Sequence, residues 1–220
     1  MLHYDEESAQ ELRKKLPKET LEVLRKPNWY HVLFDISFDW ISIILFWYLS
    51  YKIGLWFYFI AIFIIGNRQR ALGNLLHDAS HGSLLSNRFL NDWISNIFTA
   101  IPLNNLLKYY RKDHIKHHIL LGTKDDLDLI HKDSYNHCEA NTIILENVFN
   151  KKIWFSSLLG NLPKMNFKEL SVQLIWWIVV IGSINYVTNI YAAFLFFFYG
   201  IVQKLLYFIP LQLFVNYLTM

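Results

Sequence analysis

Five of the nine histidines in this 220-residue sequence fall into two tight groups. His77 and His81 stand in Leu76-His77-Asp78-Ala79-Ser80-His81-Gly82, and His114, His117 and His118 in Lys112-Asp113-His114-Ile115-Lys116-His117-His118. Each residue of an α-helix advances by about 100°, so positions i, i+3 and i+4 share one face. Each group can therefore aim two or three imidazoles at one point. Neutral imidazole is the commonest metal ligand. One histidine pair usually marks nothing more than a solvated surface, but two groups with this spacing point to a metal centre. His77-x-x-x-His81 also has the spacing of the zinc-protease pattern His-Glu-x-x-His, with the shorter Asp78 where that pattern needs Glu. Cys138 is the single cysteine, which excludes an intrachain disulfide and a cysteine-based zinc site.

The elements that must carry these residues are apolar. The chain is 54% hydrophobic and 17% aromatic, and its apolar residues gather in long runs that read as membrane spans. The runs predict spans at 32–51, 53–72, 171–188 and 191–210. The second continues as a helix through Asn67–Leu76, so that His77 and His81 project just beyond the hydrocarbon. Residues 1–31 form a charged N-terminal segment without the apolar core of a signal peptide, and 32–220 a single membrane domain. Within the polar region 73–170, Trp93–Leu103 reads as an interfacial or re-entrant segment. Asp35 and Asp39 read as interfacial carboxylates near a helix N-terminus, and Trp29, Tyr30, Trp47, Tyr48 and Tyr51 as interfacial aromatics. Gln203 and Lys204, inside the fourth span, are either a functional site or polar residues bonded between helices.

Charge sets the orientation. Of 21 Lys and Arg, six lie in 1–31, thirteen in 67–170, and the remaining two are Lys52 and Lys204. Positive residues stay on the cytosolic side. The expectation is an all-α, multi-pass integral membrane protein with four transmembrane helices in two hairpins. Both termini and both histidine groups then face the cytosol, with 73–170 as the histidine-bearing cytosolic region. The basic residues are interleaved with almost as many acids, for a net charge of +3, which argues against a nucleic-acid partner.

These features together resemble the membrane-bound fatty acid desaturase and hydroxylase superfamily. His77-Asp78-Ala79-Ser80-His81 is similar to its first histidine box, with Arg68-Gln69-Arg70-Ala71-Leu72-Gly73-Asn74 before it in the same style. Asp113-His114-Ile115-Lys116-His117-His118 is similar to the second, followed by Gly122-Thr123-Lys124-Asp125-Asp126-Leu127-Asp128, like the acidic stretch of many members. The resemblance covers about residues 30–215. It implies two non-haem irons held by His77, His81, His114, His117 and His118, O₂ as oxidant, an acyl-lipid substrate, and an external ferredoxin or cytochrome as electron donor. Asp78, Asp113, Asp125, Asp126 and Asp128 are candidates to orient the imidazoles.

The family's third box, His-x-x-His-His, follows the fourth span, and no histidine follows His137 here. The spacing of His131 and His137 fits no ligand pair on one helical turn. The resemblance therefore implies an incomplete ligand set, a chain truncated at its C-terminus, and little desaturation by this chain alone. Three alternatives stay open. These are a lipid or carotenoid hydroxylase or ketolase of the same superfamily, a non-catalytic membrane remnant, and a zinc metallohydrolase.

Overall fold

A computed structural model describes residues 17, 20, 27–121, 123 and 159–203, with backbone alone for Leu55 and 198–203. The described residues are helical and hold no strand. Helix α1 (Trp29–Ile53) starts where the Asn28 side chain accepts the Tyr30 amide at 3.1 Å, the standard use of Asn at a helix start. It ends at Gly54, whose φ of 104° turns the chain back within one residue. Helix α2 (Leu55–Ser80) then runs 26 residues without interruption.

The middle of the molecule is hooked. Helix α3 (Arg88–Ser95) runs into a wide π turn over Asn96–Ala100 and a tight 3-10 turn over Ile101–Leu103, and Asn104 closes it in the left-handed conformation. Trp40 of α1 donates its indole N–H to the Phe98 carbonyl at 3.0 Å, which ties the hook to the bundle. Trp93 is exposed, and Ser95, Thr99 and Ile101 are buried. Helix α4 (Leu107–Leu120) carries the second histidine group. The chain returns through Gly160, whose φ is +54° and where a Cβ would lie 2.5 Å from the Asn104 carbonyl oxygen. Helix α5 (Phe167–Val187) begins in a reciprocal capping box of Asn166 and Glu169. Helix α6 (Ile190–Gln203) follows after a two-residue turn.

The core explains the hairpins. Ile43 and Trp47 of α1 and Ala61, Ile62, Ile65 and Leu72 of α2 pack together with Ala192 and Phe196 of α6. The two turns meet at one end of the bundle, where Asn189 donates its side-chain amide to the Tyr51 hydroxyl at 2.7 Å. Helices α1 and α5 are each long and apolar enough to cross a membrane. Leu174, Ile175, Ile178 and Val179 of α5 point outward, as a lipid-facing surface requires and a water-facing one does not.

Two expectations are corrected. Trp47 is not an interfacial aromatic: it is buried, and its indole N–H bonds the Ala192 carbonyl at 3.1 Å. Asp39 is not an interfacial carboxylate: it is buried and paired with Arg68 of α2 at 3.1 Å, because a charge inside a helix bundle needs an opposite charge beside it. Asp35 is exposed. The fourth predicted span is helical over its described part, Ile190–Gln203. Residues 204–210, Lys204, Cys138, His131, His137 and the acids at 125–128 lie outside the described residues, and Gln203 is described by its backbone alone.

Candidate metal centre

Helix α2 delivers the first histidine pair at its last turn. His77 lies within the helix and His81 is its C-terminal capping residue, still right-handed at φ −79°. Gly82 then turns the chain away at φ +72°. Helix α4 delivers the second group from its C-terminal half. The two helix ends meet so that the ring nitrogens of His77, His81, His114 and His118 all lie within 4.8 Å of one another.

His114 is the centre of the group. Its Nε2 lies 2.9 Å from Nε2 of His81 and 2.9 Å from Nε2 of His118. A metal–imidazole bond of about 2.0–2.1 Å puts neighbouring donors of a six-coordinate ion about 2.8–3.0 Å apart. The donors therefore suit a metal in type, and the two approaches to His114 match the spacing of adjacent ligands. Tyr110 stacks on the His114 ring with centroids 5.6 Å apart. Partial burial, then the rings of His77, His118, His81 and His117, push His114 down to about 4. His81 is pushed down by burial, His77 and His118, against the opposing charge of Asp78. Both rings are thus neutral at pH 7, the form in which imidazole offers a lone pair.

His117 stands apart from the four. On an ideal helix His118 is about 40° from His114, whereas His117 is about 60° away on the other side. Its ring is 6.0 Å from that of His114 and 5.6 Å from that of His118, centroid to centroid. The five predicted residues thus become a quartet and a neighbour.

Of the acids expected to orient the rings, Asp78 lies with Oδ1 3.2 Å from His77 Nδ1. Asp113 is held instead by Lys164 at 2.6 Å. Sequence reasoning missed Arg111, Asp92 and Asn91. Arg111 sits on α4 one turn before His114, and its guanidinium reaches the Ser80 and Ala79 carbonyls and the Asp92 carboxylate. Asn91 is fully buried and donates to the Ala79 carbonyl at 3.0 Å. The one local signal is that Arg111 shares the ligand-bearing face of α4.

Residues 53–220 match the fatty acid desaturase family. This chain belongs to that family. Among curated relatives is dihydrorhizobitoxine desaturase of Bradyrhizobium elkanii, 38% identical over 76 residues, which is 34% of this chain and 22% of that protein. The match thus spans about a fifth of that relative's length. No solved structure matches the chain. Family membership agrees with what the site shows: an all-helical, apolar scaffold with a histidine cluster able to hold a metal at the end of its helices.

Proposed function

We propose that this protein is a membrane-bound, acyl-lipid desaturase-like oxidoreductase whose metal is non-haem iron. The observation that carries the reading is the convergence of His77, His81, His114 and His118 within 4.8 Å, in a member of the fatty acid desaturase family. The quartet would hold a first iron, and His117 would serve a second. Bound iron supplies the redox chemistry with O₂ that removal of two hydrogens from an unactivated carbon pair requires, which zinc cannot provide.

The chain's own residues do the rest. His81 and His114, kept neutral by their surroundings, present lone pairs without first losing a proton at pH 7. Asp78 Oδ1 lies 3.2 Å from His77 Nδ1, where it would accept from an Nδ1–H and leave Nε2 as the metal donor. A narrow cleft of about 30 Å³ lies between α1, α2, α5 and α6, lined by Trp40, Trp47, Ile65, Leu72, Trp176 and Trp177, with Gln69 as its amide. Leu72 and Gln69 stand five and eight residues before His77, about 8 and 12 Å along α2. Its indole and aliphatic lining suits hydrocarbon, and at this volume it would have to widen to admit an acyl chain. Electrons would come from an external ferredoxin or cytochrome. The membrane domain spans 32–220, follows the charged segment 1–31, and crosses the bilayer four times with both histidine groups cytosolic.

Metal and lipid analysis tests this. The protein, purified in lipid nanodiscs from iron-replete cells, is expected to retain iron in preference to zinc. His114→Ala is expected to abolish that retention, and turnover of saturated acyl lipid is expected to be low with this ligand set. Preferential zinc, with lipid ester hydrolysis, would refute the oxidative reading.

A further inference from the structure

We propose that Arg111 is a positioning residue that, with Asp92, locks the two ligand-bearing helices at the spacing the metal needs. The proposal rests on the reading of the four histidines as a metal site.

The argument starts at the end of α2. A helix leaves its last four carbonyls without intrahelical partners, and they carry the negative end of its dipole. At Ser80 those carbonyls fall between His77 and His81. Arg111 Nε donates to the Ser80 carbonyl at 2.9 Å, and Nη2 to the Ala79 carbonyl at 3.1 Å. The other edge of the same guanidinium grips Asp92 of α3: Nη1 to Oδ2 at 3.0 Å and Nη2 to Oδ1 at 2.6 Å. Asp92 is fixed in turn by Asn91 Nδ2 at 2.9 Å and lies 3.6 Å from Arg88 Nε. The hydrogen bonds from Arg111 hold its carboxyl below the usual carboxylate range.

One planar group therefore joins three elements. Arg111 is three residues before His114 and seven before His118, so all three lie within about 60° of one face of α4. The backbone it grips lies between the two ligands of α2. A shift of α4 along α2 would break these bonds together with the 2.9 Å approach of His81 to His114. Arginine is needed because its rigid fork meets a carboxylate and two carbonyls at once, whereas a lysine ammonium cannot span them. Arg111 makes no contact with the histidine rings among the hydrogen bonds described, so its effect runs through position alone.

The test uses the full chain in nanodiscs and Co²⁺ as the probe metal. Affinity is read by competition with a chelator and coordination by the cobalt ligand-field spectrum. Arg111→Gln is expected to weaken Co²⁺ binding about 10- to 100-fold, the range for groups that orient metal ligands. Its spectrum should shift, and Arg111→Lys should recover only part of the loss. Asp92→Asn, which leaves the two carbonyl bonds, is expected to lose less. Arg68→Gln, which breaks a remote pair in the same bundle, serves as the comparison for loss of stability alone and should leave the spectrum unchanged. An Arg111→Gln protein with wild-type affinity and spectrum overturns the lock, as does equal loss in Arg68→Gln. Should Arg111→Gln fail to fold, unchanged affinity in Asp92→Asn overturns it. A wild-type protein that binds no Co²⁺ overturns the metal reading, and the lock with it.

Discussion

Replacing His114 by Ala should disable the metal centre more than replacing His117, although the two stand one turn apart in the same motif. His114 supplies the nitrogen that both 2.9 Å approaches share. Four-ligand protein sites bind zinc with about 10–16 kcal/mol at pH 7, so an even share per ligand is about 2.5–4 kcal/mol. That share corresponds to about 100- to 1,000-fold in affinity. His117, with its ring centred 6.0 Å from that of His114 and outside the quartet, owns no share of the first ion. Its loss should leave the tighter affinity within about tenfold and remove only a weaker, second equivalent. The assay is a two-phase chelator competition with Fe²⁺ under anaerobic conditions, run on wild type, His114→Ala and His117→Ala in nanodiscs. Circular dichroism confirms that each variant keeps its helices. If His117→Ala weakens the first phase as much as His114→Ala does, the quartet is not the primary site and the geometric argument fails.

Three further outcomes follow. In the metal-free protein, His114 titrates near 4 when folded and near 6.5 when unfolded, so below pH 6.5 the unfolded chain binds the proton first and stability falls until about pH 4. The gap is worth about 3 kcal/mol before water at the rim reduces it to about 1–2 kcal/mol. Unfolding in detergent at pH 7 and pH 4.5 should show the loss in wild type and a smaller one in His114→Asn. Asp39→Asn should cost about 1–3 kcal/mol by removing the carboxylate partner of Arg68, whereas Asp39→Leu with Arg68→Leu should recover most of it; equal losses in the single and double variants would show that the pair does not stabilise the fold. Topology reporters fused after residue 52 and after residue 188 should both read as outside the cytosol, and a cytosolic signal at either would break the two-hairpin arrangement.

Much of this architecture is legible in the sequence because it is local. Apolar runs locate α1, α2, α5 and the start of α6, while the caps at Asn28 and Asn166 lie outside those runs and show only in the structure. The i, i+4 spacing places His77 with His81 and His114 with His118. Partners distant in sequence are not legible. Trp47 reads as an interfacial aromatic until Ala192, 145 residues away, supplies its acceptor. Asp39 and Arg68, 29 residues apart, are each unfavourable alone and make sense only as a pair. The division of five histidines into four and one also escapes the motif, since it depends on which side of α4 meets the end of α2. Arg111 escapes for the same reason: its acceptors are backbone carbonyls, which carry no residue-type signal.

In the proposed four-span arrangement, with α2 entering the bilayer at Leu55, the length of α2 would connect the site to the membrane. Its 26 residues span about 39 Å, and a bilayer's hydrocarbon is about 30 Å thick. The excess of about 9 Å is the last six residues, from Leu75 to Ser80, which include His77 and the two carbonyls that Arg111 grips. The cleft-lining Ile65, Gln69 and Leu72 stay below that level. One continuous helix would thus carry an apolar cleft at membrane depth and a ligand pair at its rim. A helix that stopped at the hydrocarbon boundary would place His77 beyond any fixed element. Without the α4 contact the Ser80 carbonyl would lose its Arg111 donor, while those of His77, Asp78 and Ala79 keep theirs. The proposed chemistry needs both features: a hydrocarbon chain approaches from the lipid, electrons arrive from water, and the metal is held where the two meet.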